Sequence, residues 1–251
     1  MKISVVGSIN MDQTVTAERI PLKGETLQGD TLSYIPGGKG ANQAVAMARL
    51  GADIEMFGCV GDDSNGQALI DNLAKNGVKT GNIKKLAGVP TGLAIITVGE
   101  NDNTIIVVAG ANSKVDCEYI DSIKGELLKS DYVVMQHEIP AETVEYVVNI
   151  CYENGIKVVL NPAPAREVKK EVLDKITWLT PNEHEAKILF GADTTGAGDT
   201  LNGAFCTMLA ENADLESALR FANTAASLST EKFGAQAGMP TCEEVEKELN
   251  K

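Results

Sequence analysis

Short apolar runs recur along this chain at intervals that a helix can fill, and that alternation constrains its fold more than any other feature. Ile3-Ser4-Val5-Val6 ends in Gly7-Ser8-Ile9-Asn10. Ile54 to Val60, Tyr132-Val133-Val134-Met135, Lys157-Val158-Val159-Leu160 and Trp178-Leu179-Thr180 repeat the pattern. Helical stretches lie between them: Ala41 to Leu50, stopped by Gly51, then about Ser64 to Asn76, ended by Gly77, and Ala141 to Asn154. Glycine just past the last periodic residue is a common helix stop. Strand, helix, strand, helix is the pattern of an α/β fold with a mainly parallel sheet covered on both faces.

Two regions break that pattern. Residues 12–36 carry Thr14-Val15-Thr16, the turn-rich Pro21-Leu22-Lys23-Gly24 and Tyr34-Ile35-Pro36. Residues 91–108 read as a hairpin: Leu93 to Val98, a polar turn over Glu100-Asn101-Asp102-Asn103, then Thr104 to Val108. The two pieces are expected to form one small sheet beside the main layer. With 251 residues and 43% hydrophobic content, the chain has enough apolar material for one large core. A single domain spanning 1–251 is therefore expected. Aromatics are only 4%, so that core must be mostly aliphatic.

Charge narrows the partners. The net charge of −13 leaves no basic stripe for nucleic-acid phosphates. An anionic substrate would need a local positive site or a bound cation. Five cysteines, Cys59, Cys117, Cys151, Cys206 and Cys242, are odd in number, widely spaced and without a CxxC. They read as free thiols in a reducing compartment. The N-terminal apolar run is too brief for a signal peptide. No run approaches the ~20 apolar residues of a membrane span. A cytoplasmic protein with no membrane or nucleic-acid partner is the expectation.

Four motifs carry chemistry. In Asp193-Thr194-Thr195-Gly196-Ala197-Gly198-Asp199-Thr200, glycines allow backbone N–H groups to converge on an anion. Asp199, at a helix start, could accept a proton from an attacking hydroxyl, or it could simply cap the helix. Gly37-Gly38-Lys39-Gly40-Ala41-Asn42-Gln43-Ala44 is a glycine turn into a helix. It fails the GxxxxGK[ST] spacing, because Gly40 follows Lys39. Lys39 and Asn42 there offer partners for hydroxyls. Asn10-Met11-Asp12 lies at the end of the first strand, the edge where open α/β sheets bind ligands. Asn182 and Glu185, in Pro181-Asn182-Glu183-His184-Glu185, have the N-x-x-E spacing that can gather Mg²⁺ and its waters, or start a helix. Glu138 also follows a strand, while the neighbouring His137 reads as incidental.

In this order, the motifs resemble the ribokinase-type family of carbohydrate kinases, over essentially the whole chain. Asn161-Pro162-Ala163-Pro164-Ala165 adds to the likeness. The resemblance implies a three-layer α/β/α fold, with the small sheet, fed by insertions at about 12–36 and 91–108, acting as a lid and dimer contact. It implies ATP-dependent phosphorylation of D-ribose at the 5-hydroxyl, with Mg²⁺ and a monovalent cation, K⁺. Asn10, Asp12, Gly38, Lys39, Asn42 and Glu138 would line the sugar site. Asp199 would be the general base, with the Ala197 and Gly198 backbone as anion hole. Asn182 and Glu185 would organise phosphate and Mg²⁺, and Asn223 would flank adenine. Asp193, Thr195, Ser229, Lys232, Gly234 and Gly238 would surround the monovalent cation.

One departure from the family pattern is large. Phe190-Gly191-Ala192 joins almost directly to Asp193, where the family carries roughly 30 more residues or above, more than a strand–helix–strand unit. The sheet is therefore expected to lack strands between N-x-x-E and the GAGD loop. The missing piece normally covers the nucleotide. A non-catalytic, sugar-binding protein is the alternative that this departure raises.

Overall fold

A computed structural model describes residues 1–100, 102–182, 185, 188, 199–229 and 239–250, the side chain of Ser227 apart. Strands β1 (Lys2–Val6), β4 (Asp53–Gly61), β5 (Lys79–Leu86), β8 (Tyr132–Gln136), β9 (Lys157–Asn161) and β10 (Trp178–Leu179) form one six-stranded sheet. Its order is β10-β9-β8-β1-β4-β5, and every pairing is parallel. Among the described residues, nothing extends the sheet beyond the two-residue strand β10.

The sheet buries both faces because successive side chains point to opposite sides. Ile3 and Val5 of β1 and Met56 of β4 pack into one layer, with Met47 of helix α1 (Lys39–Arg49) and Leu69 and Leu73 of α2 (Ser64–Lys75). Val6 and Phe57, one residue along each strand, enter the opposite layer. There they meet Tyr119 and Ile120 of α3 (Cys117–Leu127) and Val147 and Val148 of α4 (Ala141–Glu153). A single turn, α5 (Lys170–Leu173), adds Val172 to that layer. Three further helices, α6 (Asp199–Ala210), α7 (Leu215–Ser229) and α8 (Cys242–Leu249), share a third cluster of Phe205, Ala218, Phe221 and Val245.

Local signals set the helix starts. Asp63 accepts from the Gly66 amide at 2.8 Å and Asp116 from the Tyr119 amide at 2.9 Å. Each satisfies an N–H that the first turn leaves without a partner. Thr241 and Glu244 cap α8 reciprocally.

The second sheet has four strands: β2 (Asn10–Thr16), β3 (Thr31–Gly37), β6 (Gly92–Gly99) and β7 (Asp102–Val108), in the order β3-β2-β6-β7. β2 runs parallel to β6, and the outer pairings are antiparallel. The α/β/α architecture with a small accessory sheet is the fold class the alternation predicts.

Candidate active site

In a parallel sheet all carboxyl ends face one edge, so the residues following each strand gather there. After β1 come Gly7-Ser8-Ile9-Asn10, after β8 His137 and Glu138, and after β10 Thr180-Pro181-Asn182. β9 itself ends in Asn161. α1 begins at the same edge. Gly38 has φ of +90°, and a Cβ there would meet the Asn10 nitrogen at 2.7 Å. A Cβ on Gly40 would meet the Ser8 nitrogen, also at 2.7 Å. The glycines thus let the helix start press against the turn after β1.

Glu138 ties these pieces together. Its Oε2 accepts from Ser8 Oγ at 2.5 Å and from the Lys39 amide at 3.0 Å. Ser8 Oγ in turn accepts from the Gly40 amide at 3.3 Å. A carboxylate at the positive end of α1 is well placed electrostatically.

Two cavities lie at this edge, Glu138 lining one and Lys39 the other. One, of about 370 Å³, is lined by Asn10, Val107, Asn112, His137, Glu138 and Pro164, among others. Asn112 donates to Asn10 Oδ1 at 2.6 Å and fixes its rotamer. Asp12 is close enough to Glu138 to feel its charge; burial first, and that charge second, raise its pKa to about 6. His137 is buried, its Nδ1 3.2 Å from the Pro164 carbonyl, and burial followed by nearby Arg166 lowers its pKa to about 4. It stays neutral near pH 7.

The other cavity, of about 320 Å³, contains Lys39, Asn161, Asn182, Glu185, Asp199 and Asn202, with Trp178, Phe205 and Leu219 as apolar wall. Asp199 is the first residue of α6, and its Oδ1 accepts from Gln43 Nε2 at 3.3 Å. Burial raises the Asp199 pKa, and Glu138 adds to it, while Lys39, Gln43 and Asn42 oppose the shift. Asn182 and Glu185 grip one another: Asn182 donates its amide N–H (2.8 Å) and Nδ2 (2.9 Å) to the carboxylate, and Glu185 N donates to Asn182 Oδ1 at 2.8 Å. Both lie on the cavity, with the side chains already paired.

The structure therefore brings together Asn10, Asp12, Gly38, Lys39, Asn42, Glu138 and Asp199, with Asn182 and Glu185 on the far wall. Asn223 is exposed on α7. Ser229 ends α7, and its Oγ donates to the Ala226 carbonyl at 2.7 Å. Asp193, Thr195, Ala197, Gly198, Lys232, Gly234 and Gly238 lie outside the described residues. Sequence reasoning assigned no role to Ser8, Gln43, Asn112, Gln136 or Asn161, which hold the site together. Ser8, Gln136 and Asn161 are polar residues at or just past the ends of apolar strands, and that position was the available signal.

A buried carboxylate, Asp199, thus shares one cavity with Lys39, while polar groups suited to hydroxyls, Asn10 and Glu138, line the other. The model of the pfkB family carbohydrate kinases matches residues 1–193 and 191–242, and the chain belongs to that family. The ribokinase of Bacillus subtilis is 45% identical over 290 aligned positions, covering 99% of this chain and 99% of the relative. The ribokinase of Lactococcus lactis is 39% identical, covering 99% and 97%. Among solved structures, Arabidopsis thaliana ribokinase complexed with ribose and ATP superposes with a TM-score of 0.88 at 28% identity, covering 99% of this chain and 98% of that one. Thermotoga maritima ribokinase superposes at 0.89 with 32% identity, covering 99% of each. Because 290 − 251 = 39, at least 39 positions of the Bacillus subtilis alignment face no residue of this chain. The two family matches meet at residues 191–193, where the sequence joins Gly191-Ala192 to Asp193.

Proposed function

We propose that this chain transfers the γ-phosphoryl group of ATP to the 5-hydroxyl of D-ribose, giving ribose 5-phosphate. The observation that carries this reading is the placement of Asp199 at the start of α6, with Lys39, Asn42 and Glu138 around it. Asp199 takes the hydroxyl proton as the sugar oxygen attacks phosphorus. The new O–P bond forms, the bond to the β-phosphate oxygen breaks, and ADP leaves with the electron pair. Phosphoryl transfer asks mainly for positioning and charge stabilisation. Asn10, Asp12, Gly38, Asn42 and Glu138 position the sugar. Lys39 places positive charge beside the base, and the resemblance gives the Ala197 and Gly198 backbone to the transferred group.

Asn182 and Glu185 offer hard oxygen atoms suited to Mg²⁺, but each is engaged by the other, so they fit a hydrated ion held through its waters. Mg²⁺ would supply neutralisation of the phosphate charge. Of the residues assigned to K⁺, Ser229 alone is described. The four-stranded sheet, carrying exposed Leu32, Tyr34, Ile105 and Ile106, suits a lid that also pairs two copies of a single-domain chain. Five free thiols suit a reducing cytoplasm.

The non-catalytic alternative is not favoured, because the base and the sugar residues are all present. Calorimetry with D-ribose and with ATP, followed by ³¹P NMR of the mixture, tests the reading. Binding of both and a new phosphomonoester signal are expected. Ribose binding with neither ATP binding nor a phosphomonoester would overturn it.

A further inference from the structure

We infer that Gln43, oriented by Gln136, is a positioning residue for Asp199, holding one carboxylate oxygen so that the other faces the sugar hydroxyl. This rests on the reading of Asp199 as general base. Gln43 and Gln136 are both fully buried. Gln43 Nε2 donates to Asp199 Oδ1 at 3.3 Å and to Asn161 Oδ1 at 3.2 Å. Gln136 Nε2 donates to Gln43 Oε1 at 2.6 Å, and Asn161 Nδ2 donates to the Thr180 carbonyl at 3.0 Å.

The direction of this chain of bonds is forced at its ends. The Thr180 carbonyl can only accept, so Asn161 turns its NH₂ there and its oxygen toward Gln43. An ionised Asp199 can only accept as well. Both therefore demand the NH₂ end of Gln43, and the Gln43 oxygen is left facing Gln136, which must donate. A flipped Gln43 would set three acceptor oxygens together. The chain also links Asp199 to Thr180, two residues before Asn182 on the wall of the same cavity.

Packing makes room for this arrangement at some expense. Gln136 Oε1 is buried with no partner among the described residues, a penalty an apolar side chain of similar size would avoid. A Cβ on Gly7 would lie 2.3 Å from that oxygen, so the glycine admits the amide. The donated bond to Gln43 is what the amide at 136 supplies.

Two opposing sets of groups face Asp199. Lys39 and the donors Gln43 and Asn42 favour its ionised form, whereas burial and Glu138 disfavour it. Asp12 sits near Glu138, and Glu185 lines the same cavity. Removing the Gln43 donor shifts this balance toward the protonated acid.

The test is a ¹³C-carboxyl NMR titration of Asp199, assigned by the signal lost in Asp199→Asn, together with the pH dependence of kcat and of KM for D-ribose. Gln43→Met removes the donor at similar volume. Gln136→Glu, once ionised, can only accept, so Gln43 must turn its NH₂ to it and its oxygen to Asp199. Gln136→Met removes the orienting donor without a charge, and serves if either other variant fails to fold. The Asp199 midpoint is expected to rise by about one pH unit in Gln43→Met, and further in Gln136→Glu. The acid limb of kcat should move with it, and KM for ribose should stay within about two-fold. Unchanged midpoints, or a change confined to KM, would overturn the inference. The titration needs no turnover, so an inactive parent would sink the kinase reading alone and leave the midpoint shifts to decide this one.

Discussion

All five residues of β8 are buried, whereas all seven of β7 are exposed, including the apolar run Ile105 to Val108. Both strands are rich in β-branched and aliphatic residues, so composition does not separate them. The neighbouring layers do. β8 lies inside a sheet with helices on each face, and its Val134 and Met135 enter opposite cores. β7 is the outer strand of a four-stranded sheet, and among the described residues no layer covers its Ile105 to Val108. The edge of the large sheet positions the site residues, whereas the small sheet leaves apolar side chains exposed.

Substitutions in the two sheets should separate accordingly. Met135→Ala removes a fully buried side chain and should lower unfolding free energy by about 2–5 kcal/mol in denaturant titration. A loss below 1 kcal/mol would mean that the central sheet is not the stable frame. An intermediate effect is expected from Asp12 on β2, which carries the raised pKa. A carboxyl whose pKa rises on folding from 3.8 to about 6 stabilises the fold below the lower value and loses that contribution as pH climbs to the higher one. Asp12→Asn should therefore be more stable than the parent by about 1–3 kcal/mol at pH 7, with the advantage vanishing near pH 3. Comparing variant with parent cancels the opposite contribution of His137, which loses stability as pH falls. An advantage independent of pH would contradict the assignment. Smallest is Ile106→Ala, which should change monomer stability by no more than about 0.5 kcal/mol while weakening self-association in sedimentation equilibrium. A multi-kcal loss in the monomer would show that β7 is already packed.

Much of this was legible in local sequence. The apolar runs gave the parallel strands, and the hairpin turn at 100–103 gave the second sheet. β5 was not, because Lys79-Thr80-Gly81-Asn82-Ile83-Lys84-Lys85-Leu86 is mostly polar, as an edge strand can be. The residues Asn10, Lys39, Glu138 and Asp199 stood out by motif. Their supports did not, because the bonds joining Gln136, Asn161 and Asp199 to Gln43 span 93, 118 and 156 residues of sequence. No local window contains such a pairing; only the shared sheet edge creates it.

The most direct measurement is a coupled ADP-release assay with ATP, Mg²⁺, K⁺ and D-ribose, run on the parent and on Asp199→Asn. Ribose-dependent turnover in the parent, reduced by about 10²–10⁴-fold in a folded Asp199→Asn, is the expected result. Equal turnover in both proteins, or none in a folded parent that still binds ribose, would contradict the assignment of Asp199 as the base of a working kinase.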